Sequence, residues 1–119
     1  MKRIWTVVFA VFSGSIAADV PPAQKPEVEY LLNFVRQSSC TIDRNGTTYS
    51  ASEAVSHIQK KYSYFKSEIE STEDFIDLSA TKSTLSGNYY LVSCNDDEQI
   101  RTREWLLQEL RSFREQEAT

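Results

Sequence analysis

One histidine, a loop of hydroxyls and two cysteines are the residues of this chain best suited to chemistry. His57 is the single histidine. An imidazole can act as general base, and Ser83 or Ser86, in the loop S-T-L-S-G-N (83–88), could be the nucleophile it activates. That chemistry needs the serine within hydrogen-bond reach of the ring and a third group to orient it, and spacing along the chain supplies neither. The favoured reading of His57 is therefore a boundary histidine, bonded to nearby backbone or carboxylate. On a helix it falls in a polar row with Lys61, Tyr64 and Glu68. Cys40 and Cys94 form no C-x-x-C pair, and in an oxidising compartment two distant cysteines pair with each other. Closing a loop of about 55 residues would stabilise the fold by roughly 4 kcal/mol in the chain-entropy model. Two cysteines and one histidine fall short of a closed zinc site. No metal or cofactor is expected.

Other short patterns point less far. Ser79-Ala80-Thr81-Lys82 resembles the S-x-x-K of penicillin-recognising enzymes, and Lys82-Ser83-Thr84 echoes their second triplet. Those enzymes are several-fold larger. Their serine and lysine open a helix at the floor of a cleft, whereas here the pair leaves one. Asp43-Arg44-Asn45-Gly46 could open a calcium loop, but the twelfth position is Ala54, where a bidentate glutamate is needed. Asn95-Asp96-Asp97-Glu98 lacks the glycine such a loop bends on. Both read as solvated turns. Asn45-Gly46-Thr47 fits a glycosylation sequon, which matters in a eukaryotic host. Ser86-Gly87-Asn88-Tyr89-Tyr90 is similar to the Ser-Gly-x-x-Tyr motif of several bacterial periplasmic lysozyme inhibitors, which insert that loop into the lysozyme cleft. The resemblance implies a candidate binding loop of Ser83, Ser86, Gly87 and Tyr90, with a serine hydroxyl donating to catalytic carboxylates. The plainer alternative is a glycine turn into a strand whose tyrosine packs on the sheet.

Stepping outward to the elements that position these residues, the first 17 have the form of a signal peptide. A basic head (Met1-Lys2-Arg3) precedes an apolar run from Ile4 to Phe12, and Ser15 and Ala17 place cleavage after Ala17 or Ala18. The run is far shorter than the roughly 20 residues a membrane span needs, so no transmembrane segment is expected after cleavage. Residues 18–26 hold all three prolines and read as an extended leader. A single domain is expected over 27–118. Lys2 and Arg3 leave with the signal peptide, so 11 basic residues remain against 17 acidic ones. That balance, with no basic patch in the sequence, excludes nucleic acid as a partner.

Within the domain, Val28, Leu31, Leu32 and Val35 recur at helical spacing after Pro26. Asn45-Gly46 predicts a hairpin spanning Cys40 to Tyr49. Ser50 or Ser52 caps a long helix whose core stripe is Val55, Ile58, Tyr62, Phe65 and Ile69. Ser71 or Thr72 starts a shorter helix. Tyr89 to Cys94 is the best strand by composition, and Ile100 is a brief pairing residue before Thr102 caps a last helix. The fold class is α+β: a helix-dominated single domain with a small antiparallel sheet, a hairpin plus one strand, stapled by Cys40–Cys94.

The stretches "RNGTTYSASEAVSHIQKKY" and "EDFIDLSATKSTLSG", a strand ending in cysteine and a closing "WLLQEL" helix together resemble an uncharacterised family of small exported bacterial proteins, known as a domain of unknown function. The resemblance covers nearly all of the mature chain. It implies a Gram-negative periplasmic setting and carries no activity or site. The function expected by elimination is a non-catalytic periplasmic interaction module that binds a protein or envelope component. An inhibitor of an envelope-attacking enzyme, working through Ser86 to Tyr90, and a small hydrolase using His57 and a loop serine are the alternatives.

Overall fold

The computed structural model describes residues 19–95 and 98–118. The expected signal peptide and its cleavage site lie outside the described residues, as do two acids of the Asn95–Glu98 turn.

Local signals set most of the elements. Helix α1 (Lys25–Gln37) carries Pro26 in its first turn, where a missing N–H costs nothing, and Val28, Leu31, Leu32 and Val35 are its buried face. Strands β1 (Thr41–Arg44) and β2 (Thr47–Tyr49) form an antiparallel hairpin in which Arg44 faces Thr47. Asn45 and Gly46 between them have φ of 55° and 84°. This left-handed pair matches the strand twist, which is why Asn-Gly specifies such hairpins. Helix α2 (Ala51–Phe65) opens with a reciprocal capping box between Ser50 and Glu53. Helix α3 (Thr72–Ser79) opens at Ser71, whose hydroxyl accepts from the Asp74 N–H. Strands β3 (Leu91–Ser93) and β4 (Ile100–Arg101) follow, and α4 (Thr102–Ala118) closes the chain.

The sheet order is β2-β1-β3-β4, antiparallel throughout. The hairpin and the later strand join as expected, and Ile100–Arg101 adds a fourth, two-residue edge strand. The Tyr89–Cys94 strand is shorter in the ladder than its composition suggests. Tyr89 bridges back to Lys82 alone, and the Tyr90 N–H and carbonyl are taken by Thr81 and Thr102, which closes the loop before the ladder begins. Helix α2 also ends earlier than its stripe: a 3₁₀ turn at Lys66–Glu68 follows Phe65, and Ile69 reaches the core from beyond it.

Residues 19–26, the described part of the expected 18–26 leader, are not simply extended. Pro22–Gln24 is a 3₁₀ turn, Val20 is buried in the core, Asp19 binds Lys25 and Tyr62, and the Gln24 Oε1 accepts from the Thr72 N–H at 2.7 Å. The segment from Asp19 onward is thus part of the folded unit, because it satisfies the α3 N-terminus and buries an apolar residue.

The core lies between the helices and the sheet. Helix α2 packs on β1, and α4 on β3 and β4. Leu31, Phe75, Ile76, Val92, Leu106 and Leu110 are among its fully buried side chains, each contributing about 1.5–3 kcal/mol of transfer free energy. Cys40 and Cys94 are disulfide-bonded. They continue the β1–β3 register by one step, since Thr41 pairs with Ser93, so the covalent bond closes the end of that ladder. At the opposite side of the bundle Arg114 of α4 joins α1 and α3, donating to Glu27 at 2.8 and 2.9 Å and to Glu73 at 2.7 Å. The Arg114 hydrogen bonds hold both carboxyls below their usual 4.5, against the burial that would raise them.

Two outcomes follow from these ties. Cys40→Ala/Cys94→Ala should lower the unfolding free energy by roughly 4 kcal/mol, read from urea denaturation of the oxidised wild type and the variant. Arg114→Met should cost about 1 kcal/mol near pH 7. Because Glu27 and Glu73 titrate lower when folded, this stabilisation is full above pH 4.5 and is lost as pH falls through the depressed folded values. The wild-type and variant stability curves should therefore converge in acid.

Candidate binding site

The period-two alternation of strands builds the site. Ile42 and Val92 are buried cross-strand partners on the inner face. Two residues along each strand, Arg44 and Tyr90 point to the same face. The β1–β3 register, continued by one residue, sets them opposite each other; the Arg44 guanidinium lies 5.9 Å from the Tyr90 ring centre and 4.4 Å from that of Tyr49. Helix α2 covers this end of the sheet. His57 and Lys61, one turn apart, both reach Tyr90: His57 Nε2 is 3.1 Å from the phenol oxygen, and the Lys61 ammonium donates to it at 3.3 Å and to the Lys82 carbonyl at 2.7 Å.

Lys61 has no lone pair, so the Tyr90 oxygen accepts from it. A neutral imidazole protonated at Nδ1 can accept the Tyr90 hydroxyl proton at Nε2. Electrostatics favour the neutral ring. Burial first, then the charges of Arg44, Lys61 and Lys60, lower the His57 pKa from 6.5 to about 4. Burial and the Arg44 charge also lower Lys61. Burial raises the Tyr90 phenol, with the Arg44 charge opposing it.

Above this cluster lies a groove of about 510 Å³. Arg44, His57, Lys60 and Lys61 supply polar lining, Tyr64, Phe65 and Leu85 apolar lining, and no carboxylate lines it among the described residues. None of its three cations has an ion-pair partner among the described residues, and the buried Nε of Arg44 has no hydrogen-bond acceptor there. Leu85 is 98% exposed at the tip of the 83–88 loop. A larger depression, about 710 Å³, lies beside Asp19, but there the charges are already paired, Asp19 with Lys25 at 2.8 Å and Lys66 at 3.8 Å.

The loop that carries Leu85 is held at both ends. The Ser83 N–H donates to the Asn88 carbonyl and its carbonyl accepts from Gly87, which turns at φ 78°. The Ser83 hydroxyl accepts from the Ser86 N–H at 3.2 Å. The Ser86 hydroxyl donates to Asn45 Oδ1 at 2.7 Å and accepts from the Asn88 N–H. The hairpin turn and the 83–88 loop thus brace each other.

Of the residues singled out by sequence, the structure brings His57, Lys61, Ser83 and Tyr90 to one groove, while Ser86 and Gly87 occupy the loop tip against Asn45. Tyr90, with 4% of its surface exposed, faces inward. Ser79 is buried as the last residue of α3, away from the groove lining, and Asp43 Oδ1 accepts from the Gly46 N–H at 2.7 Å, which serves the hairpin turn. Arg44 and Lys60 were not singled out, yet they complete the cationic wall. Arg44 was within reach of the alternation rule, standing two residues from Ile42 in a strand.

A four-helix α+β domain, with a small disulfide-closed sheet and a basic groove beside a braced loop, is the class of protein this structure defines. The chain belongs to DUF5329, a family of unknown function, which it matches over residues 22–114. It is similar to the uncharacterized protein YfeK of Salmonella typhimurium strain LT2, with 33% identity over 92 residues, covering 76% of this chain and 77% of that protein. No solved structure matches it.

The neutral His57 has a measurable consequence. The unfolded chain takes up its proton near pH 6.5, and the folded chain only near pH 4. Folded stability therefore falls as pH drops across that window. His57→Gln should flatten this part of the curve relative to wild type, measured by thermal unfolding at a series of pH values. The histidine C2–H resonance should titrate near 4 rather than 6.5.

Proposed function

We propose that the chain is an exported, non-catalytic interaction module of the bacterial envelope, which holds its partner in the groove between α2, the hairpin turn and the 83–88 loop. The carrying observation is the groove itself: unpaired cations and exposed apolar side chains meet in one concavity, and a folded chain keeps such features together at a cost unless something binds there. The signal-peptide pattern of the first 17 residues and the Cys40–Cys94 disulfide support export, because disulfides persist in oxidising compartments.

The chemistry favours binding over hydrolysis. A general base works best with a pKa near the working pH. His57 lies far below it, among cations rather than beside an orienting carboxylate. Its Nε2 is engaged by Tyr90, and the Ser83 hydroxyl is engaged by the loop backbone. The geometry also favours the groove over the loop tip as the contact surface. The Ser86 hydroxyl is occupied by Asn45 and Tyr90 is turned inward, so two positions of the Ser-Gly-x-x-Tyr pattern are committed within the domain.

Photo-crosslinking amino acids placed at Leu85 and Tyr64, and at Gln108 on the exposed side of α4, test the reading in cells. Adducts should form from the first two positions and not from the third. They should weaken with Lys60→Glu, a substitution at an exposed residue that leaves the fold intact. Equal adducts from all three positions, or none from the groove, would overturn it. N-terminal sequencing of the same material should begin at Ala18 or Asp19.

A further inference from the structure

The groove has a chemical polarity that narrows what it can hold. One wall presents the Arg44 guanidinium and the Lys60 and Lys61 ammonium groups, with no carboxylate lining it and no ion pair to any of the three among the described residues. This stands out in a chain where acids outnumber basic residues 17 to 13. Two other arginines are matched with carboxylates, Arg103 with Asp77 and Arg114 with Glu27 and Glu73, while Arg36 donates to Asn33 and Arg101 lies over the Tyr89 ring. The Arg44 Nε is buried and has no acceptor. A buried guanidinium donor without an acceptor is costly unless a ligand supplies one. Glu53 lies in the neighbouring depression, but its carboxylate is used by the Ser50 N–H at 2.9 Å.

The groove also has apolar lining. Leu85 is 98% and Tyr64 78% exposed, and Phe65 stands beside them. The volume, about 510 Å³, is that of a small-molecule site. Resting on the reading of the groove as the partner site, we propose that its ligand is an amphiphilic oxyanion: a phosphate or carboxylate headgroup seated on Arg44, Lys60 and Lys61, with an alkyl or similarly apolar substituent lying against Leu85 and Tyr64. The headgroup supplies an acceptor to the buried Arg44 Nε and a counter-charge to all three cations. It also offsets the Arg44 charge, which together with burial disfavours the ionised form of Lys61 in the free protein. Such a headgroup belongs equally to a soluble monoester or to a lipid, and the groove's chemistry is the same for both.

The test uses the purified chain without its signal peptide and three probes: inorganic phosphate, hexyl phosphate and hexanol. Hexyl phosphate should bind more tightly than either of its parts, shift the His57 ring and Tyr90 resonances, and move the His57 titration upward. Lys60→Glu and Lys61→Gln should each weaken it by about tenfold. Leu85→Ala should weaken hexyl phosphate but leave inorganic phosphate unchanged. Co-sedimentation with phosphatidylglycerol vesicles, and not with phosphatidylcholine vesicles, identifies a lipid source; binding of hexyl phosphate without co-sedimentation identifies a soluble one. The proposal is overturned if hexyl phosphate leaves the His57 and Tyr90 signals unmoved, if hexanol binds as well, or if Lys60→Glu and Lys61→Gln change nothing. If groove-specific crosslinks persist while hexyl phosphate fails to bind, the oxyanion assignment falls and the interaction reading stands.

Discussion

The pairing of β1 with β3 is the constraint on which the rest of the structure hangs. These strands are separated by about fifty residues of helix and loop, and a ladder of three pairs is weak alone. The Cys40–Cys94 bond sits one step beyond the Thr41–Ser93 pair and removes most of the entropy cost of bringing the strands together. It also fixes their register. A slip of one residue would turn Ile42 and Val92 out of the core, and would part Arg44 from Tyr90 as well. One covalent bond at one end of the ladder thus determines which side chains meet at the other.

That far end is where the domain changes from core to groove. The same inner face carries Ile42 and Val92 in its buried part and Arg44 and Tyr90 where it borders the groove. Tyr90 suits this boundary: its ring is buried as part of the core, while its hydroxyl meets the polar groups of α2. Its backbone is equally committed, with the N–H bound to Thr81 and the carbonyl accepting from the Thr102 N–H at the start of α4. The residue therefore couples the loop, the last helix and the groove.

The fold was legible because its signals are local or periodic. Asn45-Gly46 specifies the hairpin through φ alone, Ser50 and Glu53 declare a helix start, and the apolar stripe of α1 is written at fixed spacing. Two features were not legible for the same physical reason: they depend on partners distant in sequence. The proline-rich start folds because Gln24 finds Thr72 and Asp19 finds Tyr62. The 83–88 loop is braced by Asn45, forty residues away, as well as by the strand it enters. The site was half visible. His57 and Lys61 share a helix face by simple spacing, and the Ser83–Tyr90 stretch stood out for its hydroxyls and glycine. Arg44 read as a turn residue because it precedes Asn-Gly, although strand alternation from Ile42 already assigns it to the inner face.

The charge distribution gives the groove its meaning. A net acidic chain can leave its surface mostly negative and still hold a positive concavity, since low-dielectric walls focus the field of the few charges within them. Burial first, then the charges of Arg44, Lys61 and Lys60, keep His57 neutral, and burial with the Arg44 charge depresses Lys61; none of the three cations has an ion-pair partner among the described residues. Acids were available: Glu27 and Glu73 fully engage Arg114 across three helices, and Asp77 engages Arg103. In the bundle Arg103 and Arg114 are neutralised by carboxylates, whereas the groove cations have no ion-pair partner among the described residues, and the proposed ligand rests on that difference. A charge on His57 would be the fourth positive charge at the groove, and a neutral imidazole whose Nε2 accepts from the Tyr90 hydroxyl avoids it.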